Sequence, residues 1–116
     1  MRNRRPSRPV LQVVWTPPLW HPSLMVFLKR LRDRIRSGEI TSTIRIWQSP
    51  RVRVGGRYGL APGHIVVDSI MPIDLRDITG AMARDSGFDG VVDLLKVARH
   101  GAGRNVYFVT FHYVEE

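Results

Sequence analysis

The chain has 116 residues, the size of one ordinary domain and too short for two good cores. Its 43% hydrophobic and 24% charged residues are those of an average globular protein, and with no cysteine it builds no disulfide scaffold, zinc finger, iron–sulfur site or thiol nucleophile. Eighteen Lys+Arg against ten Asp+Glu leave a net +8, which points to phosphate-bearing partners, nucleic acid first and anionic membrane second.

The charge is uneven. Residues 1–58 carry +11 and residues 59–116 carry −3. Sixteen of the eighteen bases are Arg; only Lys29 and Lys96 are lysine. No apolar run approaches the roughly 18–20 residues that span a bilayer. The run Val10–Trp15 is too short for a secretory leader, and Pro17 and Pro18 prevent its extension. The expected location is the cytoplasm, without stable membrane insertion.

In chain order, residues 1–9 read as a flexible basic arm, and residues 10–116 as a single domain. Val10–Trp15 reads as a short strand. The proline-rich stretch after it is a loop carrying Trp20 and His21. Ser23 is placed to cap a helix over residues 24–37. Leu24, Leu28, Leu31 and Ile35 recur at helical spacing and predict one buried stripe. Lys29, Arg30, Arg32, Arg34 and Arg36 fill the remaining surface, and Gly38 stops the helix. With only Asp33 nearby to pair them, these bases are either a solvated face or a phosphate-binding one. In the second case Lys29, Arg32 and Arg36 are the candidate backbone contacts.

Thr41–Trp47 is β-branched and alternating, so it predicts a strand. Ile44 and Ile46 are expected in the core. Thr41, Thr43, Arg45 and Trp47 are expected on the opposite face, where Trp47 is suited to stack a base and Arg45 to grip a phosphate or a base edge. Arg51, Arg53 and Arg57 straddle the Gly55–Gly56 turn and extend the same basic surface. Arg57–Leu60 and His64–Ile73 read as strands joined by Ala61-Pro62-Gly63. Asp77 or Thr79 is placed to cap a short helix ending near Ser86–Gly87. A further helix is predicted over residues 89–99, with Val91, Val92, Leu94, Leu95 and Ala98 inward and Gly101 and Gly103 ending it. Asn105–Val114 reads as a long closing strand. Five strands and three helices that do not alternate predict an α+β domain, a small mixed barrel with flanking helices.

The chain carries few catalytic signatures. Gly101-Ala102-Gly103 lacks a third glycine and follows a helix, so it is no dinucleotide loop. There is no P-loop and no nucleophile elbow. His21, His64, His100 and His112 have no metal-ligand spacing, so neither a metal nor a cofactor is expected. Asp68 and Asp74, six residues apart, have no special support as an acid/base pair.

One stretch is more specific. Ser37-Gly38-Glu39-Ile40-Thr41-Ser42-Thr43-Ile44-Arg45, entering a strand after a helix, resembles the signature of the ASCH domains of the PUA-like superfamily. That signature runs small-Gly-x-Lys-x-x-Thr-x-Arg. The glycine-containing turn Val54–Tyr58, the stretch Asp85–Phe88 and the final Tyr107-x-Val109-x-Phe111 are also similar, so the resemblance covers residues 24–114. It implies a β-barrel with a cleft beside the helix that holds RNA or a nucleoside. Some members are similar to 4-acetylcytidine amidohydrolases, and others are linked to RNA cleavage. In the amidohydrolases a Lys, a Thr and a later Glu form the catalytic set. Carried over, the threonine is Thr43, the motif arginine is Arg45, and the glutamate falls at Asp85 or Ser86. The lysine position holds Ile40.

Isoleucine cannot take a proton from a threonine hydroxyl, and arginine stays charged. Lys96 or His64 would have to approach in space to replace the lysine. The expectation is therefore an ASCH-type domain that binds RNA or a modified nucleoside without catalysis. Ser42, Thr43, Arg45 and Trp47 would line its cleft, with Asp85 nearby and Arg51, Arg53 and Arg57 beyond. The alternatives are an amidohydrolase on acylated cytidine, or a ribonuclease, using Thr43 and Asp85, and a basic module for a protein or membrane partner.

Overall fold

A computed structural model of the chain describes residues 25–99 and 103–115. The basic arm, the strand at Val10–Trp15, Trp20, His21, Leu24, the cap at Ser23, His100 and Gly101 lie outside the described residues. The elements are helix α1 (Lys29–Arg36), strands β1 (Ser42–Trp47), β2 (Arg57–Leu60) and β3 (Gly63–Ile73), a 3₁₀ turn (Leu75–Asp77), helices α2 (Gly80–Asp85) and α3 (Val91–Ala98), and strand β4 (Asn105–Val114).

The fold is mixed α+β around one antiparallel sheet in the order β1-β4-β3-β2, curled into a half-barrel. The four predicted strands that fall among the described residues are all present; the fifth, at Val10–Trp15, lies outside them. Between Val67 and Ser69 the β3–β4 register shifts, with Val67 opposite Phe111 and Ser69 opposite Thr110. Such a bulge inserts one residue, here Asp68, and reverses the side-chain parity along β3 while bending it. Asp68 itself reaches His112, with Oδ1 2.9 Å from Nδ1. Asp74 belongs to the capping box of the 3₁₀ turn. The two carboxylates thus have separate structural tasks.

Both faces of the sheet are covered. One carries Trp47, Tyr107, Val109 and Phe111 against Leu31 and Ile35 of α1 and the preceding Met25 and Phe27. The other packs Ile44 and Val106 against Ala83 of α2 and Leu94 of α3. Thr43 and Trp47, expected on the face opposite Ile44 and Ile46, are each only 8% exposed, so that face is packed as well. Within α3, Leu94 is buried as predicted, but Val92 points outward at 71% exposure.

Helix α1 starts later than predicted. Residues 26–28 precede it without helical structure, and burial alternates, with Met25 and Phe27 inside and Val26 and Leu28 outside. Leu28 therefore leaves the predicted stripe, and Leu31 and Ile35 remain in it. Arginines hold this segment in place. Arg32 Nε donates to Phe27 O at 3.1 Å, and an Arg45 terminal nitrogen donates to Val26 O at 2.8 Å. Two more bases of α1 reach other elements: Arg30 donates to Gly87 O at 3.1 Å and Arg36 Nε to Ala61 O at 2.6 Å. Arg36 also pairs with Asp33, and Arg34 pairs with Glu39, an acid that sequence reading left out. Four arginines thus satisfy backbone carbonyls, a task suited to a forked, rigid donor set. Of the predicted backbone-contacting bases, Arg32 and Arg36 are engaged internally and Lys29 is exposed.

Gly38 follows α1 at φ +84. Gly87, at φ +99, ends the turn after α2, and a Cβ there would meet Leu31 Cδ2 at 2.7 Å and Ile40 Cδ1 at 3.0 Å. Thr79 rather than Asp77 caps α2, its hydroxyl accepting from Met82 N–H at 3.1 Å.

Candidate ligand cleft

A cavity of about 610 Å³ runs beside β1, within the usual range for small-ligand sites. One wall comes from Val26, Phe27 and Leu31, the other from Phe88, Leu94 and Val97. Thr43, Arg45, Trp47 and Arg51 also line it. The cleft is thus built where the N-terminal part of α1, strand β1 and helix α3 approach one another.

Arg45 dominates its electrostatics. Nε donates to Thr43 Oγ1 at 3.0 Å, and the guanidinium carbon lies 5.0 Å from the centroid of the Phe27 ring. Among the described residues no carboxylate pairs with it, and none lines the cavity. Burial pushes its pKa down to about 10. It stays charged at neutral pH, with part of its donor set facing an apolar space.

The predicted residues divide. Thr43, Arg45, Trp47 and Arg51 meet at the cleft. Trp47 does so as a core residue: its ring packs on Tyr107 at 5.9 Å between centroids, which leaves little face for stacking. Ser42 points to the opposite side of β1, where its hydroxyl lies 3.3 Å from that of Ser86. Ser86 is buried and lines the cavity, whereas Asp85 is exposed and does not. Of the two positions for the family glutamate, the one at the cleft carries no carboxylate. Arg53 and Arg57 are exposed near the Gly55–Gly56 turn and are not part of the cavity lining.

Ile40, at the motif lysine position, is 2% exposed and belongs to the core with Leu31 and Ile35. Lys96 and His64 do not line the cleft. Sequence reading missed the apolar walls, chiefly Phe27 and Phe88. Phe88 was visible in the Asp85–Phe88 stretch, but Phe27 sat inside a predicted helix.

Among the described residues no three His, Asp or Glu side chains converge as metal ligands, and no helix is long and apolar enough to cross a membrane. No known protein family, no curated protein and no solved structure matches the chain.

Proposed function

We propose that this domain binds RNA or a modified nucleoside in the cleft beside β1, and that it acts by binding rather than by hydrolysis. The observation that carries the reading is Arg45, a half-buried guanidinium with no carboxylate partner among the described residues, on the wall of an apolar cavity of about 610 Å³. A buried cation costs stability unless something opposite meets it. A phosphate, or the paired acceptors of a base edge, matches the planar donor fork of arginine. The apolar walls offer a surface for a flat ring, and Arg51 adds a second cation at the cleft. The +11 of residues 1–58 favours a phosphate-bearing ligand over a neutral one.

The residues favour binding over catalysis. The Thr43 hydroxyl accepts from Arg45 Nε, so its neighbour is a cation that stays protonated and takes no proton. Ile40 supplies no base from the core. A threonine nucleophile without its base forfeits about 10²–10⁴ in rate.

The test is anisotropy of a labelled single-stranded RNA titrated with the protein at low salt. Binding is expected, with log affinity falling as log salt rises, because contacted phosphates release counterions. Arg45→Met should weaken it by about tenfold or more. No binding at low salt, or a slope near zero, defeats the reading. Hydrolysis of acetylcytidine, lost in Thr43→Ala, would replace it with the catalytic one.

A further inference from the structure

Strand β1 lies at one end of the sheet order, so one of its edges has no neighbouring strand among the described residues. Which main-chain groups face that edge is fixed by the pairing. Phe111 N–H donates to Thr41 O at 3.0 Å, which makes these two opposed residues a hydrogen-bonded pair. In an antiparallel ladder such pairs alternate, so Thr43, Arg45 and Trp47 bond to Val109, Tyr107 and Asn105. The N–H and C=O groups of Ser42, Ile44 and Ile46 point the other way.

The residues that carry these groups are buried or half-buried. Ser42 is 8% and Ile44 2% exposed, yet no described residue offers either one a main-chain partner at this edge. Ile44 and Ile46 line the cavity, with Phe27 and Leu31 on one side and Phe88 and Leu94 on the other. The result is a slot with apolar sides and a floor of peptide donors and acceptors that no described residue pairs. Buried peptide groups are nearly always paired, so such a floor is costly when empty.

We propose that a nucleobase of the bound RNA or nucleoside enters this slot and pairs, through adjacent donor and acceptor atoms of its Watson–Crick edge, with the C=O of Ile44 and the N–H of Ile46. Arg45 then meets the ligand's phosphate or a base carbonyl. This mode of binding rests on the RNA or nucleoside reading and adds how the base is held. Bases presented by single strands are recognised on that edge, with their faces packed against side chains. An extended peptide would also satisfy an open strand edge. A nucleotide is favoured because the cavity has small-ligand dimensions and its charged side chains are arginines, with no acid among them. The contact needs no particular side chain on β1, only its main chain. It therefore leaves no trace in a motif.

The experiment follows individual amides of the full ¹⁵N-labelled chain by NMR. The probes are adenosine 5′-monophosphate, its N1-methylated form, the three other common ribonucleoside monophosphates and a short single-stranded RNA. With any unmethylated probe that binds, the Ile46 amide should shift and its hydrogen exchange should slow by about tenfold or more, as expected for a newly bonded N–H. If adenosine monophosphate binds, its N1-methylated form should bind more weakly. Probes that bind and perturb the Arg45 side chain while leaving Ile44 and Ile46 unchanged would overturn the slot and keep the binding reading. Failure of every probe to bind would remove both. Protection of these amides in the free chain would overturn the slot by showing that a strand already occupies the edge, from a second copy if the protection rises with protein concentration.

Discussion

Replacing Ile40 by lysine tests whether position 40 belongs to the core or to the cleft. Ile40 is 2% exposed and packs with Leu31 beside Gly87. Removing its burial forfeits about 1.5–3 kcal/mol. The incoming ammonium has no acid among the cluster it would enter. A fully buried lysine falls to a pKa of about 5–6 from about 10.4. Neutralising it at pH 7 costs roughly 4–5 kcal/mol, at about 1.36 kcal/mol per pH unit below the unfolded value. The total, about 6–8 kcal/mol, rivals the whole stability of an ordinary domain. The unfolded chain binds more protons here, so stability must rise with pH between the folded and unfolded pKa values. From pH 7 to pH 9 the variant should regain about 2.7 kcal/mol. Urea unfolding of Ile40→Lys at both pH values reads this directly. Ile40→Met, expected to cost less than about 1.5 kcal/mol, controls for shape. If Ile40→Lys keeps wild-type stability without pH dependence, position 40 opens to solvent or to the cleft. The lysine site implied by the ASCH resemblance would then be real.

Three further outcomes are expected from the packing and the charge. Gly87→Ala should lower stability by about 2–4 kcal/mol, from the left-handed backbone at φ +99 and the contact with Leu31, measured as a fall in Tm. Arg30→Ala should cost about 1–3 kcal/mol in urea unfolding, because it removes both the bond to Gly87 O and the contact with the Phe88 ring. Binding of adenosine monophosphate should be flat from about pH 7 to 9 and weaken as pH rises through about 10, because the protonated Arg45 is the binding form. Calorimetry across that window checks it, and affinity unchanged well above pH 10 would show that Arg45 keeps its proton there.

Much of the fold was legible in the sequence. β2 and β4 fall where alternation places them, and Thr79 and Gly38 act as cap and stop. These are local signals, carried by neighbouring residues. The start of α1 was not legible, because Leu24, Leu28 and Leu31 fit a helical period while Met25 and Phe27 fit a period of two. Bonds from Arg32 and Arg45 help hold the second arrangement, and the Arg45 bond crosses between elements. That both faces of β1 are packed was not legible for a related reason. Alternation finds one core only when the other face meets water, and here both faces are packed. Of the cleft, Thr43, Arg45 and Arg51 were readable from residue type. Its apolar walls and its open strand edge were not, because sheet order and helix packing create them.

The binding account depends most directly on Arg45. Arg45→Met removes a half-buried cation without a carboxylate partner among the described residues, together with its bonds to Thr43 and Val26 O, and should change stability by no more than about 2 kcal/mol in either direction. The decisive measurement is the affinity of this folded variant for single-stranded RNA at low salt, set against the unsubstituted protein. The account predicts a loss of about tenfold or more, about 1.4 kcal/mol. Equal affinity would contradict it and leave only a nonspecific basic surface.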